Sequence, residues 1–489
     1  MIRRRRARAI AGATAAVVAL CAMGGGPTVA QTPTPSLTYR LLARNILIDA
    51  DLWSPRAEIL SAGYGFDGII GVDGGEPEVR AAGGTWNTVQ CANGAEPPRN
   101  VLTSSSTTQS VIAVFDAPAS HADGLPVVFS WPVLAGTVEH TDFRVTLNTG
   151  EVVVPSSASV YPNFEFNERH VVVIFGDFGN RLQPGEPGAR YATRVEVVDD
   201  GSPLLLVGPL GPVSAVGLVK TSDSSPYQSG PFLVGAKLSR LSTRGEGGPR
   251  FLSANLPNDG RALYGSQARY RLRILTTGGF SPDGVQGVLP TEFERFFRLH
   301  AEGPHGETVL LTRTCVDYQV AGGVVRVVGL ADLGLRSQPL RARPGIVYDD
   351  CYVEDHDNYI DIVLDGDEAA MRHVTHVEIP ATGDYDPFFN PGGPGNNPTP
   401  GVRYTAPGPP DLEPVIIALD DPGTVTHVEP SLLDEEPLDG LSPRAATPTP
   451  AAVAHSRAGS PRAWRRRGAP ARPRGGARRS AIRRADRPR

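Results

Sequence analysis

Glycine and proline interrupt this chain so often that few long helices fit between them. The 55 Gly and 46 Pro among 489 residues fall as regular punctuation between short apolar runs. In a helix interior Gly costs about 1 kcal/mol relative to Ala, and Pro about 3 kcal/mol. Short apolar runs bounded by turn residues suit strands instead, so the sequence predicts a mostly β protein.

The strand signal is strong from about residue 110. VIAVFDA, LPVVFSWPV, DFRVTLNTGEVVVP, ERHVVVIFGDF and RYATRVEVVDD read as successive strands or hairpins. Phe143, Val145 and Leu147 alternate with Arg144, Thr146 and Asn148, and Asn-Thr-Gly at 148–150 then turns the chain. Strands at this spacing, with Pro at their ends, predict an immunoglobulin-like β-sandwich over residues 110–225. The apolar run at 204–219 holds two Pro and three Gly, so it predicts short buried strands rather than a membrane span.

A second sandwich is expected over residues 226–385. Its strands begin with FLVGAKLSRL and continue through RYRLRIL, ETVLLTRTCVDYQV, GGVVRVVGL, NYIDIVLDG and RHVTHVEIP. Tyr270, Leu272 and Ile274 alternate with Arg269, Arg271 and Arg273, the pattern of a half-exposed strand. PTEFERFFRLH fits a short helix through Phe293, Phe296 and Phe297, and fits a strand almost as well. Residues 36–60 are ambiguous between helix and strand, within a Gly-rich N-terminal segment covering 31–109. Residues 386–443 read as a Pro-rich arm holding one last strand candidate, PVIIALDD.

The two ends differ from the body. Arginines 3–6 and Arg8, an uncharged run from Ala9 to Met23, and Thr28-Val29-Ala30 before Gln31 have the layout of a secretory signal peptide over residues 1–30. The apolar run is shorter than the ~20 residues a spanning helix needs. Residues 444–489 carry fourteen Arg and one acid among Ala, Pro, Gly and Ser, the composition of a disordered tail. Between these ends, residues 31–443 hold 28 Lys plus Arg against 51 Asp plus Glu, a net −23. An acidic body argues against nucleic acid as its partner. Export permits disulfides, and Cys315 with Cys351 is the favoured pair, leaving Cys91 as a buried free thiol.

Common catalytic signatures are missing: no HExxH, no GxSxG, no SxxK and no phosphate-binding GxxxxGK[ST]. The densest chemistry is DDCYVEDHDNYIDIVLDGDE, residues 349–368, with nine carboxylates and no Lys or Arg. It fails the EF-hand pattern, because a loop begun at Asp355 puts Ile360 where Gly belongs and one begun at Asp361 puts Arg372 where Glu belongs. Its strand, YIDIVLD, turns Ile360, Ile362 and Leu364 to one face and Asp361 to the other. Asp349, Asp350, Glu354, Asp355, Asp357, Asp365 and Asp367 in the flanking loops are the candidate ligands for calcium, against a solvated face as the plainer reading.

Other candidates are weaker. His373 and His376 sit three apart in a strand, so they point to opposite faces and share no metal. His170, beside Glu168 and ahead of Asp177, reads as a solvent-facing hairpin end or as a base with an orienting carboxylate. Tyr227 and Lys237 flank Pro-Gly turns, Asp259 and Asp283 lie in tight turns, and Trp53, Trp86 and Trp131 are candidate sugar platforms. The expectation is a secreted or cell-envelope β-sandwich protein that binds an extracellular ligand, polysaccharide or protein, or serves structurally, with calcium as candidate cofactor and no transmembrane segment after cleavage. The alternative is a secreted hydrolase using strand-end carboxylates.

Overall fold

The computed structural model describes residues 35–62, 66–88, 101–182, 184–222, 232–242, 247–248, 259–279, 288–331, 358–380 and 410–432. All lie in one compact unit; the second unit, from Thr447 onward, falls outside the described residues, as do residues 1–30, Cys91 and Cys351. The chain is mostly β, in several sheets. No helix among the described residues is long and apolar enough to cross a membrane.

The first region is built on two sheets sharing a core. The strand Ala122–Phe129 pairs antiparallel with Val171–Gly176, which pairs in turn with Ser157–Ser159. On its other side it takes Ile59–Ser61 at one end and Phe66–Ile70 at the other. The second sheet runs in the order Val219–Thr221, Ala192–Val197, Phe143–Leu147, Val152–Val153. The predicted alternation is realised: Phe143, Val145 and Leu147 are buried against Leu125, Val127, Phe129, Val172 and Ile174. Burying an aliphatic or Phe side chain of this kind stabilises by roughly 1.5–3 kcal/mol.

One expected strand is a helix. VIAVFDA belongs to the helix Thr108–Phe115, whose N-cap Thr107 accepts a hydrogen bond from the Ser110 N–H. Its β-branched residues suggest a strand, but the cap and the four-residue spacing of buried Val111 and Phe115 decide otherwise. Asp116 closes it in a left-handed conformation at φ 55°. The 204–219 run forms the short strands Leu205–Gly208 and Gly211–Ser214 and leads into Val219–Thr221, although Leu210, Val213, Val216 and Val219 are exposed.

The second region is not a second sandwich. It is a single nine-stranded sheet whose edge strands, Thr308–Leu311 and Tyr318–Val320, lie against each other, so the sheet nearly closes into a barrel. One core fills it, including Leu238, Leu272, Ile274, Leu299, Val325, Ile362, Leu364 and Val377. A sheet that wraps its own apolar face needs no facing sheet, and strand periodicity alone does not distinguish the two solutions. The two readings of 290–300 each hold for half: Phe293–Phe296 is helical, Arg298–Glu302 is a strand, and all three Phe are buried.

Residues expected in the Pro-rich arm complete both regions. Asp411–Ile417 enters the barrel sheet parallel to Leu233–Arg240 and antiparallel to Val374–Ile379. Thr424–Val428 then pairs antiparallel with Ile46–Asp51, which follows the helix Leu37–Leu42. Leu275 and Tyr359 of the barrel pack with Trp53, Val128, Val171 and Phe175 of the first region in a shared apolar cluster.

Candidate functional site

The acidic stretch is only partly in view. Asp349, Asp350, Glu354, Asp355 and Asp357 lie outside the described residues, as do Tyr227 and Asp283. Asp365 and Asp367 are described, and each has a protein partner. Asp365 Oδ1 lies 3.4 Å from Arg269 Nη1, and Asp367 Oδ2 accepts the Val324 N–H at 3.0 Å. Among the described residues no three His, Cys, Asp or Glu are grouped to hold a metal. Cys315, at φ 58°, is exposed with a free thiol.

Asp361 is no solvated residue. It is 1 % exposed and grips Arg273, with Arg273 Nε 2.8 Å from Asp361 Oδ1 and Nη2 3.3 Å from Oδ2. The same guanidinium reaches Glu168 Oε1 at 2.8 Å and lies over the Tyr359 ring. Arg271, also expected at a solvent face, pairs with Asp51 at 3.1 Å, and Lys237 pairs with Asp51 at 3.1 Å while donating to the Gly423 carbonyl. Three carboxylates and three cationic groups therefore balance inside the joint between the regions. Burial alone would raise the Asp51 carboxyl; the Arg271, Lys237 and Arg273 charges outweigh it and hold it well below the usual carboxylate range.

His170 belongs to this joint rather than to an exposed hairpin end. It is fully buried, its Nε2–H donates to the Asp51 carbonyl, and Nδ1 lies 2.6 Å from the Tyr359 hydroxyl. Burial pushes its pKa down to about 4, so the ring is neutral and Nδ1 is an acceptor facing the Tyr359 O–H, which the Glu168 carbonyl also approaches at 3.1 Å. Trp53 is likewise 5 % exposed and not a sugar platform; it lies against Gly235, where a Cβ would come within 2.6 Å of its ring. Trp131 is half-buried and donates Nε1–H to the Ser54 carbonyl, and Trp86 is half-buried in a short hairpin. His373 bonds Glu302 at 3.0 Å, whereas His376 meets the His300 ring edge-on. Asp259 begins the helix Asp259–Tyr264.

A solvent-open concavity lies elsewhere, at the first region's sheet edge. A cavity of about 590 Å³ is lined by Asp67, Gly68, Ala82, His121, Asn180, Arg181 and Leu182. Asp67 and Gly68 come from the edge strand Phe66–Ile70, whose pairing with Ala122–Phe129 is broken by a register shift. Ala82 follows the helix Glu76–Ala81. Asn180 fixes the remaining wall: Nδ2 donates to Gly188 O, and Oδ1 accepts from the Leu182 and Arg190 N–H groups.

The backbone is shaped to hold one guanidinium. Arg181 Nη2 donates to the Asp67 and Ala82 carbonyls. Gly83, at φ 85°, leaves room for that guanidinium, because a Cβ there would fall on it. Asp67 Oδ1 is 3.7 Å from Arg181 Nε, beyond hydrogen-bond reach, and no described donor bonds the buried Oδ2. Burial, against Arg181 and with Asp177, pushes the Asp67 pKa up to about 6. Behind it Asp123 accepts N–H bonds from Gly68, Phe178 and Gly179, and burial with the Asp67 charge pushes its pKa up to about 7. His121 stands at the rim at φ 49°, exposed. The arrangement offers an acceptor and a donor side by side beside the apolar edge of Leu182.

None of the residues lining this cavity is among the sequence-based candidates; the one local signal is the glycine density near Asp67 and Gly83, within the Gly-rich segment 31–109. The chain matches no protein-family model, no curated protein and no solved structure.

Proposed function

We propose that this chain is an exported protein of the extracellular space or cell envelope that binds a ligand without transforming it, in the Asp67–Arg181 cleft. The observation that carries this reading is where the charged groups are spent. His170, Glu168, Asp361 and Lys237, the residues best suited to acid–base or nucleophilic work, are at most 2 % exposed and consumed in joining the two β regions. The open cleft instead presents a prepositioned guanidinium and a carboxyl that receives no hydrogen bond from the described residues. Export rests on the N-terminal layout, and an immunoglobulin-like sandwich for the first region rests on its two-layer packing. Calcium is proposed for the acidic stretch around Asp355 and Asp357, on its density of carboxylates.

A hydrolase is the second reading, because a carboxylic acid protonated near neutrality is what a general acid requires. Asp67 meets that requirement, but Asp123 is tied down by three backbone N–H groups and is 4 % exposed. Glycosidase, esterase and phosphatase substrates offered to residues 31–443 separate the readings. Binding without turnover is expected; turnover lost in Asp67→Asn establishes the hydrolase. A melting midpoint raised by Ca²⁺ and lowered by EDTA, an effect lost in Asp355→Ala, is the result expected for a calcium site.

A further inference from the structure

The charge pattern of the cleft narrows its ligand class, given that the cleft is a binding site at all. An anionic ligand would meet the Asp67 carboxyl, exposed Asp177 nearby and a body of net −23 over residues 31–443. A cationic ligand would meet Arg181, which two backbone carbonyls and the bare Gly83 hold in place. An uncharged ligand avoids both costs. It must donate to Asp67 and accept from Arg181 at adjacent positions, and vicinal hydroxyls do both, since each O–H donates and its oxygen accepts.

We infer that the cleft takes a neutral sugar ring, with one hydroxyl on the Asp67 carboxyl, its neighbour on the Arg181 guanidinium, and the ring's C–H face on Leu182. Three features support the fit. Asp67 receives no hydrogen bond from any described residue, and with Oδ2 closed to solvent it is Oδ1 that is offered to a ligand hydroxyl. Leu182 is 40 % exposed, an apolar shelf at the rim of the cavity beside the Asp67–Arg181 pair. Loop and guanidinium are held by Asn180 and by backbone carbonyls, so little ordering is left for binding to cost. The open, shallow lining fits a residue within an exposed chain, and the class is therefore a neutral polysaccharide or its oligosaccharides.

The test is titration of residues 31–443 at pH 7 with cellotriose, maltotriose and chitotriose. Trigalacturonate, spermidine and triglycine amide serve as the anionic, cationic and uncharged-amide probes. Binding is followed by calorimetry and by amide shifts of Gly68, His121 and Leu182. One neutral sugar is expected to bind, with Asp67→Ala and Arg181→Gln each weakening it by at least about tenfold, the loss expected for a hydrogen bond to a charged group. Melting curves of both variants exclude misfolding, and Leu182→Ser supplies a third variant outside the charged pair. A charged probe or the amide binding in the cleft, with no sugar bound, overturns the sugar assignment and leaves the binding reading standing. Sugar binding indifferent to all three substitutions overturns the assignment of this cleft. Failure of every probe to bind or shift the cleft amides overturns both.

Discussion

Arg273 Nε sits 2.8 Å from Asp361 Oδ1, directly across two paired strands, with both side chains closed to water. Removing one member strands a charge in the interior, which typically costs 3–5 kcal/mol, whereas replacing the whole set with apolar groups is often neutral. Arg273→Leu is therefore expected to lower unfolding free energy by about 3–5 kcal/mol. Adding Glu168→Gln and Asp361→Asn should recover part of that loss. Urea denaturation of the single and triple variants measures the coupling.

His170 carries a pH dependence of known sign. Its folded pKa, about 4, lies below the ordinary 6.5, so the unfolded chain binds the proton more readily between those values. The neutral ring's contribution is whole above pH 6.5 and is lost as pH falls toward 4. Comparing wild type with His170→Gln isolates it from the carboxyls that titrate in the same window. The stability difference between them should shrink by roughly 3 kcal/mol from pH 7 to pH 4.

Asp67 acts in the opposite direction. Its folded pKa, about 6, lies above the ordinary 3.8, so its contribution is present below pH 3.8 and lost as pH rises through 6. Asp67→Asn removes that loss. The variant's melting midpoint, relative to wild type, should rise between pH 4 and pH 7.

Gly235 tests the apolar part of the joint. A Cβ there would press on the Trp53 ring at 2.6 Å, and overpacking of this kind costs about 1–3 kcal/mol. Gly235→Ala should lower the melting midpoint and redden Trp fluorescence as Trp53 is displaced.

The sequence revealed the strands better than it revealed their company. The alternation through Phe143, Val145 and Leu147 and through Tyr270, Leu272 and Ile274 placed those side chains inward correctly. Alternation also puts Arg271, Arg273 and Asp361 on an opposite face, which is correct, and a half-exposed strand would turn that face to solvent. It is a second interior, because the first region covers that part of the barrel's outer surface. Period-two patterns report which residues share a face, not what covers it. A usable hint was present: the polar positions of RYRLRIL are all Arg, whose planar fork suits buried carboxylate pairing better than Lys does. The cleft left no comparable trace, because Asp67, Gly83, His121 and Arg181 meet only through tertiary folding.

Chain-end strands give another check. Lys237 donates to the Gly423 carbonyl, and Ile46–Asp51 pairs with Thr424–Val428. Ending the chain before Asp411 should abolish cooperative folding, whereas ending it after residue 443 should leave the melting midpoint unchanged. Thermal melts of the two truncations decide this.

Buried charge unites the two β regions into one folding unit. Scanning calorimetry of residues 31–443 tests it most directly. One transition is predicted, with equal calorimetric and van't Hoff enthalpies, and Arg273→Leu should shift it down or split it. Two separate transitions in the wild-type protein, with the Arg273→Leu trace unaltered, would contradict the account.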